Sequence, residues 1–310
     1  MKTEYQIPSK YDDEQRKAIS LDKGYNLVLA SPGCGKTEIL AERIARAHSQ
    51  GVDFGDMLCL TFTNRASREM SSRIKDRLGD NTDTSDLFVG NIHRFCSKFL
   101  FDNNLLPLST SILDENDTYN ILQNILSQDE TLDISFNKRS QLNRIIYFQH
   151  FLYQKRLGHN PSVIPKYDEC LSYVDKANYI YIDIERLCLY KGITESSDFV
   201  KFYDNIYKED FKNYPDGLDQ TLNLILAAKK YEDYKKGFSA IDYDELLIIT
   251  YNILVNQEIG HKKYSWIQVD EVQDLNPLQI AIIDELSSKE NQVVVYLGDE
   301  QQAIFSFIGA

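Results

Sequence analysis

A strand, a glycine-rich loop and a helix follow one another directly near the start of the chain, and this arrangement restricts the fold more than any other feature. The apolar run Asn26–Ala30 predicts a short buried strand, and Lys36–Ser49 predicts a helix. Glycines in the loop between them allow backbone N–H groups to converge on phosphate oxygens, and the helix N-terminus favours negative charge. We therefore expect a phosphate-binding loop within a parallel α/β sheet.

This loop supplies candidate ligands for a nucleoside triphosphate and a magnesium ion. The candidate phosphate ligands are Ser31, Pro32, Gly33, Cys34, Gly35, Lys36 and Thr37. Lys36 is expected to contact the β- and γ-phosphates, and the Thr37 hydroxyl is expected to ligate Mg²⁺. The strict motif has glycine where this chain has Ala30, so the loop is a near match. A glycine-rich turn without a ligand is the alternative, which the strand–loop–helix context disfavours.

A second apolar strand, predicted over Trp266–Asp270, ends in carboxylates. The carboxyl ends of parallel strands lie at one edge of the sheet, beside the phosphate loop. Asp270 is therefore expected to hold Mg²⁺, and Glu271 is expected to position and deprotonate an attacking water. A solvated acidic loop after a strand is the alternative interpretation.

Alternating strands and helices flank a middle region of different character. The first part continues with strands Met57–Phe62 and Phe88–Ile92 and the helix Asn64–Leu78, and the last part with the helix Pro277–Leu286 and the strand Gln292–Leu297. From Leu105 to Ala240 no segment shows strand alternation, and aromatic-rich helical stretches such as Arg139–Leu157 dominate. We therefore predict one α/β domain from residues 1–103 and 242–310, interrupted by a helical insertion over residues 104–241.

The net charge of −13 at first argues against a nucleic-acid partner. However, residues 1–103 carry 15 basic and 15 acidic side chains, so the remainder holds the whole excess of acid. Residues 134–167 contain six Lys and Arg, several aromatics and no acid. That composition suits contact with a nucleic-acid strand; an amphipathic helix with a solvated basic face is the alternative.

Cysteine usage and hydropathy exclude other classes. The five cysteines show no C-x-x-C spacing, which argues against a disulfide framework or a zinc site. No apolar run approaches the ~18 residues of a membrane span, and the first residues lack the apolar segment of a secretory signal. The sequence therefore predicts a cytoplasmic protein without a membrane partner.

Seven elements in order resemble the motifs of superfamily 1A helicases of the UvrD/Rep/PcrA type. They are Tyr11–Arg16 (Q motif), Ala30–Thr37 (motif I), Thr61–Ile74 (motif Ia), Gly90–Phe95 (motif Ib), the acidic segment Asp242–Leu247, Val269–Asn276 with Gln279 (motif II), and Gly298–Ala310 (motif III). The resemblance covers residues 11–103 and 242–310. Departures are Ile308 where the family usually has Arg, and Asn91 and Arg94 in place of Thr and Ser around His93.

The resemblance implies a RecA-like P-loop NTPase fold, with a parallel sheet, helices on both faces, and residues 104–241 as a 1B-like subdomain. It implies ATP and Mg²⁺ as ligands, with Gln15 recognising adenine. Glu271 and Lys36 become catalytic, together with Gln302, which would sense the γ-phosphate.

The resemblance also implies contacts to single-stranded DNA or to a junction between single and double strands. The candidate DNA-binding residues are Phe62, Thr63, Asn64, Arg65, His93, Phe305 and Phe307. Core or interdomain packing is the alternative role for the three phenylalanines, and plain surface charge is the alternative for Arg65.

The most concrete functional hypothesis is the ATP-binding core of an ATP-dependent helicase or translocase that moves 3′→5′ on single-stranded DNA. Because the chain ends after motif III, we expect it to lack the second RecA-like domain and its arginine fingers, which are worth roughly 10³–10⁵ in rate in related enzymes. The 310 residues alone are then expected to be poorly active. A naturally short ATP-gated DNA-binding or partner-docking module is the alternative, and Glu271 argues against a small-molecule kinase.

Overall fold

A computed structural model of the chain describes residues 5–31, 33–79, 81–128, 145, 148, 184–256, 260, 262–288 and 292–299. The chain divides into two compact units, one from residues 1–103 and 249–308 and the other from residues 104–248. The basic stretch 134–167 and the predicted helix Arg139–Leu157 lie outside the described residues, apart from Ile145 and Phe148.

The described elements follow the predicted alternation closely. In chain order they are α1 Asp13–Ser20, β1 Gly24–Leu29, α2 Lys36–Ser49, β2 Met57–Leu60, α3 Asn64–Leu78, β3 Phe88–Gly90, α4 Ile92–Asp102, β4 Ser111–Leu113, α5 Glu115–Ser127, α6 Ser196–Asp204, α7 Asp219–Gly237, β5 Ala240–Asp242, α8 Tyr243–Asn256, β6 Trp266–Val269, α9 Pro277–Leu286 and β7 Val293–Gly298. Residues 184–191 are also helical.

Five strands of the first unit form one sheet in the order β1-β7-β6-β2-β3. Every neighbouring pair is parallel. All residues of β2 and β6 are buried, so both faces of the sheet are covered there. The predicted α/β class with a parallel sheet is confirmed.

The helices beside the sheet place one apolar face each on a common core. α2 contributes Leu40, Ile44 and Ala47, and α3 contributes Met70 and Ile74. These positions recur at helical spacing, which explains why the amphipathic pattern predicted both helices with their observed bounds.

The second unit is built around a separate apolar cluster. Aromatic and aliphatic side chains of α5, α6 and α7 fill it, among them Tyr203, Leu222 and Tyr231, all fully buried. The unit also contains a two-stranded parallel sheet of β4 and β5, which the sequence analysis did not predict. Strands of three residues are too short to show a period of two.

The loops after the strands of the main sheet emerge at one edge. The N–H group of Ala30, just after β1, donates to the Gly298 carbonyl at the end of β7 (3.0 Å). The N–H group of Asp270, just after β6, donates to the Leu60 carbonyl at the end of β2 (2.9 Å). The phosphate loop and the acidic strand end therefore lie at the same edge.

None of the described helices is long and apolar enough to cross a membrane. The four cysteines within the described residues are all free thiols, and two of them, Cys59 and Cys96, are buried.

Candidate active site

The phosphate loop adopts the backbone conformation that its glycines predict. Gly33 and Gly35 have φ angles of 79° and 76°, in the left-handed region where a side chain is strained. Gly35 is the N-cap of α2. The first backbone N–H groups of a helix have no intrahelical acceptor, so this helix start offers donors to an anion. Pro32, also predicted here, lies outside the described residues.

Lys36 and Glu271 meet although 235 positions separate them in the chain. Lys36 Nζ lies 3.1 Å from Glu271 Oε2. The lysine side chain is 9% exposed and the glutamate side chain 31%, so the pair is partly shielded from solvent at the edge of the sheet. The structure therefore brings together two of the residues that the sequence predicts to act on one phosphate.

Glu271 is held in an unusual backbone conformation. Its φ of 54° and ψ of 50° place it in the left-handed region, which costs a residue with a side chain roughly 1–2 kcal/mol. Such strain persists where the surroundings over-determine the position. Here the Glu271 N–H group donates to Asp270 Oδ1 (3.1 Å), and Glu271 begins the short 3₁₀ turn Val272–Asp274.

Gln273 connects Glu271 to the end of β7. Its Nε2 donates to Glu271 Oε2 (2.6 Å), and its Oε1 accepts from the Asp299 N–H group (3.1 Å). The contact depends on Gly298, since a Cβ there would lie 2.7 Å from Gln273 Oε1. One amide therefore contacts both the Glu271 carboxylate and the start of the segment that resembles motif III.

Asp270 is almost fully buried at the end of β6, 4% exposed. Burial, reinforced by the negative charge of Glu271, raises the pKa of Asp270 to about 6, while Lys36 opposes the shift. Asp274 is also buried, and its Oδ1 has no hydrogen-bond partner among the described residues. Burial and the charge of Glu271 raise the pKa of Asp274 as well.

These acids suit a divalent cation. Lys36 pairs with Glu271 and interacts through its charge with Asp270 and Asp274, so one ammonium group faces three carboxyl groups, and Asp274 Oδ1 has no hydrogen-bond partner among the described residues. Hard oxygen donors are what Mg²⁺ prefers, and it is usually held by one or two carboxylates together with substrate phosphates. Among the described residues, no group of three His, Cys, Asp or Glu side chains is placed to hold a metal ion by itself. Phosphate oxygens of the nucleotide would therefore have to complete the coordination of Mg²⁺. Thr37, the other predicted ligand, follows Lys36 in the first turn of α2.

Gln15 lies against the phosphate loop. Its Nε2 donates to the Cys34 carbonyl (3.1 Å), and its Oε1 accepts from the Asp12 N–H group (3.2 Å) in the capping box of α1. The residue predicted to recognise adenine is therefore placed beside the loop, with its amide bonded to the backbone.

Arg43 fixes the helix that carries Gln15. It is fully buried, and its Nη1 donates to the carbonyls of Ala18 (2.6 Å) and Ile19 (3.2 Å) at the end of α1. Its guanidinium also lies 4.8 Å from the centre of the Trp266 ring. Burial lowers the pKa of Arg43 to about 9, which still leaves the group charged at neutral pH.

A network of charged groups joins α2 to α3. Glu38 in the first turn of α2 forms ion pairs with Arg73 (2.9 Å) and with Arg77, both on α3. Arg77 also lies 3.3 Å from the fully buried Glu42, which accepts hydrogen bonds from the hydroxyls of Tyr5 and Tyr11. The helix that follows the phosphate loop is therefore tied to the helix that resembles motif Ia.

Several predicted DNA-binding residues lie at the N-termini of α3 and α4. Thr63 caps α3 by accepting from the Ala66 N–H group (3.1 Å), and Asn64 Oδ1 accepts from Asn91 Nδ2 (3.2 Å), which links the two helix starts. Arg65 is exposed, whereas Phe62 and His93 are half-buried. Gln302, Phe305 and Phe307 lie outside the described residues.

Sequence reasoning did not assign Gln273, Arg43 or Glu38 to the site. A signal existed for Arg43, because it occupies an apolar-face position of α2 beside Leu40 and Ile44, where a charged residue needs a buried partner. Gln273 stands within the quoted acidic segment, but only the backbone turn at Glu271 brings its amide onto the carboxylate. The partners of Glu38 lie on another helix, so no local pattern identified them.

Comparison with known proteins identifies the family of the chain. The model of the UvrD/REP helicase N-terminal domain family matches residues 11–310. A probable DNA helicase II homolog of Mycoplasma pneumoniae is 26% identical over 311 residues, 99% of this chain and 37% of that protein. The ATP-dependent DNA helicase PcrA of Bacillus subtilis is 25% identical over 316 residues, and DNA helicase II of Haemophilus influenzae is 25% identical over 309 residues. These alignments cover 98% and 96% of this chain and 35% of each relative, so the chain spans about a third of the relatives' length.

Proposed function

Because the chain belongs to the UvrD/REP helicase N-terminal domain family, we propose that it binds ATP and hydrolyses it to drive movement along DNA. The proposed roles are those of the predicted site. Lys36 and the phosphate-loop N–H groups bind the phosphates, and Glu271 positions and deprotonates the attacking water. Gln15 faces adenine, and Gln302 responds to the γ-phosphate.

The contact between Lys36 Nζ and Glu271 Oε2 carries this proposal. It joins the two groups that the hydrolysis of a γ-phosphate requires, at an edge where backbone donors of the phosphate loop are also available. Mg²⁺, held by Asp270 and Thr37, would neutralise charge on the β- and γ-phosphates when bound.

We further propose that the track is a single DNA strand, or a junction with duplex, and that movement is 3′→5′. Thr63 and Asn64, at the start of α3, would contact the backbone, with Arg65 and His93 beside them. We assign the first unit as the RecA-like domain and the second as a 1B-like subdomain, in a protein that acts in the cytoplasm. The 310 residues taken alone are expected to turn over ATP slowly, because arginine groups from a second domain stabilise the transition state in related enzymes.

Two substitutions test the proposal on the 310-residue chain. Lys36→Ala is expected to weaken binding of a fluorescent ATP analogue at least tenfold, because the phosphates lose their lysine. Glu271→Gln is expected to keep binding and to lower hydrolysis about 10²-fold or more, since a general base contributes on that order. Lys17→Ala, an exposed lysine of α1, is the matched control and should change neither quantity. Equal binding by the parent and Lys36→Ala would refute the proposed site.

A second candidate is an ATP-gated DNA-binding module without unwinding, since the contact between Lys36 and Glu271 provides for nucleotide chemistry and not for strand separation. Measurements of strand separation and of oligo(dT) binding on the same preparation separate the two. Nucleotide-dependent binding without strand separation, also after the addition of a second RecA-like domain from a relative, would favour the module.

A further inference from the structure

Two neighbouring charged residues of α2, Glu42 and Arg43, hold opposite ends of α1, the helix that carries Gln15. Both side chains are fully buried, which is rare for charged residues unless they have partners. Neither residue belongs to a predicted motif, and neither contacts the pair of Lys36 and Glu271. Their contacts are instead made with the start and the end of α1.

Glu42 holds the chain just before α1 begins. Its Oε2 accepts from the Tyr11 hydroxyl (3.0 Å), and Tyr11 directly precedes Asp12, the N-cap of the helix. Burial, together with this bond to Glu42, raises the pKa of Tyr11, so the hydroxyl stays a donor at neutral pH. Arg77 of α3 lies 3.3 Å from the same carboxylate and balances its charge. The Tyr11 carbonyl accepts from Arg16 Nε (2.9 Å), which ties the anchored residue to α1 itself.

Arg43 holds the other end of the helix. Its Nη1 donates to the carbonyls of Ala18 (2.6 Å) and Ile19 (3.2 Å) in the last turn of α1. Its Nε and Nη2 have no hydrogen-bond partner among the described residues, so the buried guanidinium depends on these two carbonyls. A shift of α1 would leave a buried charge without acceptors, which is costly. The contact therefore opposes movement of α1 away from α2.

Gln15 lies between these two anchors, and both ends of its amide are engaged within the protein. Its Nε2 donates to the Cys34 carbonyl (3.1 Å), and its Oε1 accepts from the Asp12 N–H group (3.2 Å). An amide that turns to a base gives up both bonds, including one of the two bonds of the capping box. The contacts of Glu42 and Arg43 do not involve this amide, so they keep α1 in place when it turns.

A fixed helix matters for the choice between purine bases. Adenine presents one donor and one acceptor, which a glutamine amide matches with two hydrogen bonds, whereas guanine presents two acceptors at the same edge. The acceptor N7 is common to both bases. A displaced helix would therefore reduce the pairing to a single bond to N7, which adenine and guanine accept equally.

We propose that Arg43, and Glu42 through Tyr11, are positioning residues that determine the preference for adenine over guanine. The inference rests on the proposed function, because it presupposes that Gln15 faces the base, and it extends that function to two residues of α2 outside the predicted motifs. These side chains do not touch the nucleotide; they fix the helix from which Gln15 reaches it.

Binding of ATP, GTP and inorganic tripolyphosphate, measured by calorimetry with Mg²⁺ present, separates recognition of the base from recognition of the phosphates. The parent chain is expected to prefer ATP over GTP roughly tenfold to a hundredfold, which is the discrimination of one bidentate amide. Tyr11→Phe removes one hydroxyl and is expected to lower this ratio roughly threefold to tenfold, the size of one hydrogen bond. Tripolyphosphate binding should not change. The matched control is Tyr5→Phe, because Tyr5 donates to the same carboxylate from outside α1, and it should keep the ratio of the parent.

Two further variants test the other end of α1 and the route of the effect. Arg43→Met releases the last turn of the helix and is expected to lower the ratio at least as much as Tyr11→Phe. Adding Tyr11→Phe to Gln15→Ala should change the ratio no further, because a positioning residue acts only through the amide. Thermal unfolding identifies the variants that fold, and Tyr11→Phe decides the inference if Arg43→Met does not fold.

The outcomes separate this inference from the proposed function. Equal losses of ATP, GTP and tripolyphosphate binding in Tyr11→Phe would show that the hydroxyl maintains the phosphate loop, and would reject the inference. A further fall in the ratio when Tyr11→Phe is added to Gln15→Ala would reject it as well. An unchanged ratio in Tyr11→Phe, or equal binding of ATP and GTP by the parent, would overturn the inference, and the nucleotide site would stand if tripolyphosphate binding depends on Lys36. Failure of the parent to bind any of the three probes would overturn both.

Discussion

Asp270 is buried at the end of β6, and its buried charge is expected to lower the stability of the fold although the residue is proposed to hold Mg²⁺. The carboxyl has a pKa of about 6 when folded, against about 3.9 in an unfolded chain. Between these values the folded state binds more protons than the unfolded state, so the free energy of unfolding falls as pH rises from about 4 to 6. Above pH 6 the cost is fully present, at about 3 kcal/mol for a shift of two pKa units.

Asp270→Asn is therefore expected to raise the free energy of unfolding by about 1–3 kcal/mol at pH 7 and to change it little at pH 4. It should also weaken Mg²⁺-dependent nucleotide binding. Urea denaturation at both pH values measures the first effect, with exposed Asp53→Asn as the control. If Asp270→Asn instead lowers the free energy of unfolding at pH 7, the folded protein stabilises the charged form of Asp270, and burial of that charge does not cost stability.

Gln273 is expected to act on the rate through Glu271. Its Nε2 holds the carboxylate at 2.6 Å, so Gln273→Ala frees Glu271 to leave the position that serves the attacking water. We expect kcat to fall about tenfold to a hundredfold with little change in KM, since small misplacements of a catalytic group have effects of that order. Gln273→Glu places a second carboxylate beside Glu271 and should move the pH–rate profile to higher pH.

Steady-state ATP hydrolysis over a range of pH checks both variants, and exposed Gln220→Ala serves as control. A rise in KM at constant kcat would mean that Gln273 binds nucleotide and does not position Glu271.

At the scale of elements, the start of α8 depends on one buried lysine. Lys235 Nζ lies 2.7 Å from Asp242 Oδ2 and 2.9 Å from Glu245 Oε2. Asp242 and Glu245 also cap α8 reciprocally, since each side chain accepts from the other's backbone N–H group. Burial and the charge of Asp242 raise the pKa of Glu245. The segment that resembles the family's acidic motif is therefore a helix start within the second unit.

Lys235→Met is expected to destabilise the chain by about 3–5 kcal/mol at pH 7, because it leaves the buried carboxylate of Asp242 and the half-buried carboxylate of Glu245 without their cation. The loss should shrink as the pH falls, because the pKa of Glu245 is raised and its protonation removes one of the two negative charges. The neighbouring Lys236 is 61% exposed and pairs with Glu232, so Lys236→Met should cost at most about 1 kcal/mol. Chemical denaturation of both variants provides the comparison, and equal losses would contradict a buried, paired Lys235.

The sequence predicted the longer elements, whose apolar spacing and capping residues lie within or next to the element itself. α2, α3 and α9 have the predicted bounds, because caps and apolar spacing mark both ends. β4 and β5 were missed, since each holds three residues and its partner lies more than a hundred positions away. The left-handed backbone conformation of Glu271 could not be predicted either, because residues with a side chain rarely adopt it and only the surrounding site enforces it.

At the scale of the whole molecule, the net charge of −13 is a poor guide to the surface that faces a ligand. Sequence arithmetic showed that residues 1–103 are neutral overall. Only the structure shows that Glu38 of α2 pairs with both Arg73 and Arg77, whereas Arg68 and Lys75 of the same helix have no acidic partner among the described residues. A charge pattern on one helix therefore depends on the acids that a neighbouring helix supplies, and the sequence alone does not give that pairing.

The same pairing connects α2, which follows the proposed nucleotide site, to α3, whose start is proposed to contact DNA. Glu38 stands two residues after Lys36, and its partners Arg73 and Arg77 lie on the helix that begins at Thr63 and Asn64. If nucleotide binding shifts the first turn of α2, the ion pairs carry that shift to α3. ATP and DNA should then alter each other's affinity by the same factor, which is typically worth 1–3 kcal/mol.

Glu38→Gln is expected to reduce this coupling free energy by about 0.5–2 kcal/mol while leaving each ligand's separate affinity nearly unchanged. The matched control is Glu69→Gln, because Glu69 also pairs with Arg73 (2.8 Å) but lies on α3 itself and so does not connect the two helices. The measurement is the Kd for oligo(dT) with and without a non-hydrolysable ATP analogue, repeated in the reverse order of addition. Equal coupling in the parent and both variants would show that the ion pairs of Glu38 do not carry the coupling. The Arg77–Glu42 pair and the packed core of Leu40, Met70 and Ile74 would then position α3.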